Sequence, residues 1–526
     1  MMRCDHLVIG AGSAGCVLAN RLSADPRRQV VLLEAGGPDR NPFIHMPAGL
    51  ARLVHDPGIN WGYHTEPEPG LAGRRLWWPR GRVLGGSSAI NAMCYVRGQP
   101  EDYDGWVRLG CPGWAFDDVL PAFRRAEDQA RGANVFHGTG GPLSVSDLRY
   151  TNPLSQAFIA AGVACGLVAN EDFNGATQAG VGWYQVTQRL GRRASAATAY
   201  LRPALGRRNL RVLTKALATR ILFDRQRVIG VEYRNAAGAL EHISTPRVTL
   251  SGGAINSPQL LQLSGIGPAR HLESVDISVV LDAPGVGENL QDHLDYCTVV
   301  RSIQPVSYDF SRLQELGVLL RYALTRQGPG SSNLAEAGAF LRTGLDPDPR
   351  PDVQLHFLPA QLDDHGRHRL PGHGYTFHAC GLRPESRGHI RLATKDPSAH
   401  PRITANYLST SRDVHTLIAA IRQVREIANA TAFDAYRGEE IFPGASASSD
   451  ADLEQAIRRK AETTYHPVGT CKMGTDPLAV VDPRLSVHGL SGLSVVDASV
   501  MPTLTSGNTN APTIMIAERA AQWLDH

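Results

Sequence analysis

The chain has 526 residues, 42% hydrophobic and 20% charged, with a formal net charge of +3. That length exceeds one compact core and predicts two domains, or one enlarged by insertions, around a sizeable hydrophobic interior. The near-neutral charge excludes the basic footprint of a nucleic-acid binder. The eight cysteines are scattered without a CxxC pair, so no metal centre, iron–sulfur cluster or disulfide framework is expected, and a reducing cytoplasm fits. No stretch approaches the roughly 18 apolar residues of a membrane span, and the first strand starts too early to leave room for a cleavable signal. Attachment to a membrane surface stays open.

The first element is the clearest. DHLVIGAGSAG is an apolar run that stops at Gly10-x-Gly12-x-x-Gly15, continues as the helical pattern SAGCVLANRLSA, and is followed by a second apolar run, VVLLE, ending at Glu34. Strand, glycine turn, helix, strand and terminal acid in that order predict a dinucleotide-binding βαβ unit. The glycines give a tight turn, close approach to a diphosphate and helix–sheet contact, and the helix N-terminus faces the anion. Glu34 is placed to take ribose hydroxyls and disfavours a 2′-phosphate. FAD and NAD both fit this segment.

From Glu34 to about residue 75, Gly, Pro and Asn interspersed with Trp61 and Tyr63 predict long loops of functional type. GRVLGGSSAINAMCYVRG (81–98) reads either as backbone shaped to lie against a ligand or as a helix N-terminus capped by Ser87 or Ser88. Alternation over 205–250 predicts a strand meander returning to the first domain. GGAINSPQLLQLSGIGP (252–268) predicts another strand-to-helix passage, with Ser257 as cap and Pro258 as first helical residue. PDVQLHFLP and GYTFHACGL predict antiparallel strands, and DVHTLIAAIRQVREIANA an amphipathic helix. Near the end, SVVDAS predicts a short strand to Asp497, and Asn508-Thr509-Asn510-Ala511-Pro512 the opening of a helix whose N-terminus favours a developing anion.

Four ordered blocks carry a resemblance over nearly the whole length: GAGSAG with Glu34, GRVLGGSSAIN, GAINSPQLLQLSGIG, and the C-terminal HPVGT and GNTNAPT. The chain resembles the glucose-methanol-choline (GMC) oxidoreductases, FAD-dependent alcohol-oxidising enzymes, and is most similar to the bacterial aliphatic-alcohol and choline dehydrogenase branch. Together with the change of composition and the alternating strands from about residue 296, the resemblance gives an expected α/β fold (α+β overall): a Rossmann-like FAD-binding domain with a parallel sheet, from residues 1–150, 205–295 and 460–526, and a substrate-binding domain on an antiparallel sheet with helices, from 151–204 and 296–459.

It also implies the site. His466 is the expected base, facing flavin N5 as hydride leaves the alcohol carbon, and Asn508 the second catalytic residue. Contacts to FAD are expected from Gly10, Gly12, Ser13, Ala14, Gly15, Glu34, Ala35, Gly85, Gly86, Ser87, Asn91, Ala92, Ala218, Asp497, Ala498, Asn510 and Pro512. Ile90 stands where some relatives carry a flavin-linked histidine, so FAD is expected to be non-covalent. Trp61, Glu336, His356, Phe357 and Tyr465 are candidates for the substrate pocket, with Glu336 able either to meet a cationic substrate or to pair with a surface arginine. The expected reaction is oxidation of a primary alcohol to an aldehyde, electrons passing to a quinone or other carrier, by a monomer or homodimer in the cytoplasm or on its membrane face. An oxidase and a flavin-retaining lyase of the hydroxynitrile type are the alternatives.

Overall fold

The computed structural model describes residues 2–368 and 370–524. The elements that position the site are, in chain order, β1 (His6–Ile9), α1 (Ser13–Leu22), β2 (Val30–Glu34), β3 (Gly180–Trp183), β4 (Leu210–Thr214), β5 (Val248–Leu250) and α2 (Gly253–Leu263). There follow β6 (Leu294–Ser302), α3 (Arg312–Thr325), β7 (Ala337–Leu341), β8 (Val353–Leu358), β9 (Gly374–Gly381), α4 (Ser411–Asn429), β10 (Arg437–Phe442), β11 (Leu493–Val495) and α5 (Asn510–Leu524).

The continuous apolar runs HLVI and VVLLE are buried at every position, as strands covered on both faces must be. They form the centre of a five-stranded parallel sheet, ordered β4-β2-β1-β5-β11. Helices α1 and α5 pack together beside it, and Arg21 of α1 and Arg125 both bind the buried Glu518 of α5, at 2.7 and 3.0 Å. The rest of the 205–250 meander forms a separate small sheet, in which residues 217–224, 227–234 and 240–244 are antiparallel neighbours joined at the edge by residues 2–3.

The second large sheet is antiparallel, ordered β10-β6-β9-β8-β7-β3, with Glu462–Thr463 paired to β6. Side chains alternate across a strand, so each strand presents one set of residues to each face. One face buries Phe357, Phe377, Tyr375 and Leu355 in a core shared with Phe158, Phe433 and Val424 of α4. Gln354, His356 and His378 belong to the opposite set.

Three local expectations change. The 252–268 passage is helical from Gly253, so Ser257 and Pro258 lie inside α2. Pro258 leaves the carbonyl of Ala254 without its helical donor, and the Thr470 hydroxyl replaces it at 2.6 Å. GGSSA forms a single 3₁₀ turn, Gly86–Ala89, with no helix behind it. The stretch after Glu34 carries two one-turn helices, Pro42–His45 and Leu50–Leu53.

Candidate active site

A cavity of about 310 Å³ runs along the carboxyl ends of the parallel strands, from Glu34 to His466 and Asn508. Such a crevice is where open α/β sheets bind ligands. At the Glu34 end the walls are mostly backbone. A side chain on Gly10, at φ +97°, would meet the Ser251 carbonyl at 2.5 Å, and one on Gly15 would meet the Gly10 carbonyl at 1.8 Å. Protein packing explains both glycines. Gly12 is different: a Cβ there would find no protein atom nearer than 4.0 Å, and no side chain caps the first turn of α1. The space beside it therefore suits a ligand, and a helix N-terminus suits an anionic one.

Glu34 is buried, and its two oxygens accept from the Ala11 amide at 2.8 Å and the Gly36 amide at 2.7 Å. Burial pushes its carboxyl up to about 7 against those amides. Asp497 accepts from the Gly253 amide at 2.8 Å and the Ser257 hydroxyl at 2.6 Å, so it joins β11 to the start of α2. Ser13 donates to Asn510 Oδ1 at 2.7 Å, tying together the first turns of α1 and α5. The cavity lining includes Gly10, Gly12, Ser13, Ala14, Glu34, Ala35, Gly86, Ser87, Ile90, Asn91, Ala92, Ala218, Asp497, Ala498 and Asn510. Gly15, Gly85 and Pro512 are not in that wall. Gly85 stands behind it with φ +92°, and Pro512 is buried in the first turn of α5.

The opposite end is built from side chains. His466 Nδ1 lies 3.0 Å from His293 Nδ1, and His293 Nε2 lies 3.0 Å from the Leu382 carbonyl. A carbonyl only accepts, so His293 carries its proton on Nε2 and presents a bare Nδ1. His466 must then donate from Nδ1, which leaves Nε2 as an unprotonated acceptor. The tautomers are assigned from this network. Asn508 Nδ2 stands 3.2 Å from that Nε2. Its amide is oriented in turn by Gln354, whose Nε2 donates to Asn508 Oδ1 and to Tyr184 Oη, both at 3.0 Å.

The backbone of His466 is held as well: its amide donates to Asp292 Oδ1 at 2.7 Å. Asp292 also accepts from Thr463 and Tyr407. Burial pushes His466 well below the ordinary histidine value, and His293, His356 and Arg80 push in the same direction. Burial lowers His293 to about 4 and His356 to about 3. All three imidazoles are neutral at pH 7.

Of the pocket candidates, Trp61 and Tyr465 line the cavity. His356 stands behind Asn508, with Nε2 3.4 Å from its Oδ1. Phe357 is on the other face of β8 and belongs to the core; neighbours in a strand point apart, so this pair could not share one pocket. Glu336 neither faces the cavity nor pairs with a surface arginine. It is fully buried and accepts from the Asn152 amide and the hydroxyls of Ser155, Ser332 and Tyr308. His293, Asp292 and Gln354 were missed because each sits in or beside a strand with nothing local to mark it. The register of the antiparallel sheet also gathers Asp295, Cys297 and His378 to within 4.8 Å, a cluster hidden by their scattered positions. Asp295 accepts from or shares a proton with His378 Nδ1 at 2.6 Å.

Two family models described as GMC oxidoreductase match residues 4–295 and 384–517. The chain is 48% identical to an alcohol dehydrogenase [acceptor] of Pseudomonas putida over 98% of its length and 95% of that protein. It is 46% identical to the mitochondrial choline dehydrogenase of Mus musculus, over 98% and 88%. Among solved structures, pyridoxine 4-oxidase from Mesorbium loti superposes with a TM-score of 0.91 at 34% identity, covering 99% of both chains. A variant of Aspergillus oryzae formate oxidase, whose study concerns FAD modification, gives 0.93 at 25% identity over 99% and 98%.

Proposed function

The chain belongs to the GMC oxidoreductase family, and from that premise we propose that it oxidises a neutral primary alcohol to the aldehyde with His466 as the base. It is an FAD enzyme acting on CH–OH donors. When bound, FAD supplies the acceptor for the hydride that leaves the alcohol carbon. The residues that would hold it are those of the Glu34 end: Gly12 and the first turn of α1 at the diphosphate, Glu34 at the adenosine ribose, and the Gly86–Ala92 wall with Asp497 and Asn510 nearer the ring. Ile90, apolar and in the wall, supports non-covalent retention. We divide the chain between the two large sheets, as FAD-binding and substrate-binding domains, along the boundaries expected from the sequence.

One observation carries the catalytic reading: the Leu382–His293–His466 relay leaves His466 Nε2 unprotonated and beside Asn508. A neutral imidazole can accept the hydroxyl proton as the carbon gives up hydride, so proton and electron pair both leave the alcohol and a carbonyl remains. The Asn508 amide can donate to the same oxygen and place it without adding charge. A half-buried, positively charged Arg80 lies in the same wall and favours a developing alkoxide.

The lining also supports a neutral substrate over a quaternary ammonium. Among the described residues the only acids in the cavity wall are Glu34 and Asp497, and both are engaged by backbone amides at the cofactor end. Trp61 already carries a cation, the Arg82 guanidinium 4.7 Å from its ring centroid, and stacks on Tyr63 at 5.7 Å. A quinone or another carrier would then reoxidise the flavin.

The test is anaerobic mixing of the purified protein with a panel of primary alcohols and choline while flavin absorbance is followed. Bleaching by a neutral alcohol, with the aldehyde recovered, is expected. Bleaching by choline alone would overturn the substrate reading. A yellow protein that no alcohol reduces, yet that cleaves cyanohydrins, would make it a lyase.

A further inference from the structure

The most exposed apolar surface lies outside the cavity, on α3. At about 100° per residue, Leu313, Leu316, Leu320 and Leu324 fall on one arc of about 80°, with Tyr322 on the far side of the helix. The exposures follow that geometry: the four leucines are 83, 63, 58 and 76% exposed, and Tyr322 is buried. Tyr322 fixes the helix to its support, donating to the carbonyls of His45 and Gly191 at 3.1 and 3.0 Å. The hairpin that contains Gly191 adds Leu190, 74% exposed, at the carboxyl end of the stripe. Isolated exposed leucines need no explanation, but four on one arc of a single helix mark a surface that something covers.

The charges beside the stripe say what kind of surface that is. Arg312 and Arg321 flank the leucine arc on its two sides, and Arg189 and Arg192 flank Leu190; all four are exposed. The one acid of the helix, Glu315, is engaged by Arg52. Leucines with arginines on both shoulders match a bilayer whose headgroups are anionic: the leucines enter the acyl boundary and the arginines stay at headgroup level. A second copy would bring the same arginines against these. The helix that carries the patch also adjoins the cavity, through Glu315 and Arg52. Arg52 belongs to the one-turn helix Leu50–Leu53, and Leu50 and Val54 line the cavity wall.

We propose that α3 and the 188–193 hairpin seat this protein on an anionic membrane surface, with the Leu50–Val54 side of the cavity toward the lipid. A lipid-soluble alcohol or electron acceptor would then arrive from the bilayer. The proposal rests on the surface alone and is read without turnover, so its failure would leave the alcohol-oxidation reading intact.

The test is sedimentation of the full chain with phosphatidylcholine vesicles, with and without roughly one third phosphatidylglycerol. The wild type should bind the phosphatidylglycerol vesicles, and L316Q/L320Q/L324Q should bind at least about tenfold more weakly. R312Q/R321Q should lose about fivefold per arginine. Equal flavin content and an unchanged rate with a water-soluble acceptor would show that these exposed substitutions leave the fold intact. In L320W, the new indole should be quenched by brominated acyl chains. Equal vesicle binding by the wild type and the triple leucine variant would overturn the proposal. So would a wild type that ignores vesicles but forms a concentration-dependent dimer that L316Q/L320Q/L324Q abolishes.

Discussion

At its Glu34 end the cavity is centred on the backbone of one local βαβ unit, whereas at its His466 end it is made of side chains from four distant segments. Gly10, Gly12 and Gly15 act through what they lack, and Glu34 is held by two amides within or just beyond the same βαβ unit. His466, His293, Asn508 and Gln354 act through what they donate and accept, and each depends on a partner more than 40 positions away. Damage at the first end should therefore remove the cofactor, while damage at the second should leave it bound and slow the chemistry.

The largest effect expected is from Gly12→Val, which fills the one position among Gly10, Gly12 and Gly15 that no protein atom requires to be small. The variant should fold, with a circular dichroism spectrum like that of the wild type, and purify nearly colourless and inactive. A yellow, active Gly12→Val would break the comparison. Next, His466→Ala should keep its flavin and lose about 10²- to 10⁴-fold in kcat, the usual range for a general base. His293→Ala should keep its flavin too. Without the relay that fixes the His466 tautomer, kcat should fall by up to about a hundredfold. Its acid limb should also move up in pH, because a neighbour that depresses His466 is gone. A purely structural role for His293 would not shift that limb. The smallest effect is expected from Gln354→Leu, which frees the Asn508 amide to turn and should cost about tenfold in kcat, the worth of one hydrogen bond.

The same contrast governs how much was legible in the sequence. The βαβ unit could be read from residues 6–34 because its requirements are local: apolar runs, glycines at fixed offsets, an acid at a strand end. The antiparallel sheet could be anticipated from the alternation in PDVQLHFLP and GYTFHACGL. His466 and Asn508 were legible only through the resemblance, since nothing about a histidine before a proline announces a base. His293 and Gln354 could not be found at all, because their roles come from strand register between β6, β9 and β8. Glu336 shows the opposite failure. A lone acid in SNLAEAG looks like a surface or substrate-binding charge, yet four donors from elsewhere in the fold make it an interior anchor. Pro258 was misplaced for a similar reason: the hydroxyl that tolerates it inside α2 comes from Thr470, over 200 positions later.

The pH dependence of anaerobic flavin reduction by a saturating primary alcohol, in the wild type, tests the His466 assignment most directly. Burial and three basic neighbours lower its pKa, so the neutral, proton-accepting form persists well below the ordinary histidine value and is lost only as pH falls through the depressed one. The rate should be level from about pH 7 to 9 and decline only well below about 6.5. A rate that already falls as pH drops from about 9 to 7 would mean that His466 is charged at neutrality, and would contradict the relay that assigns it as the base.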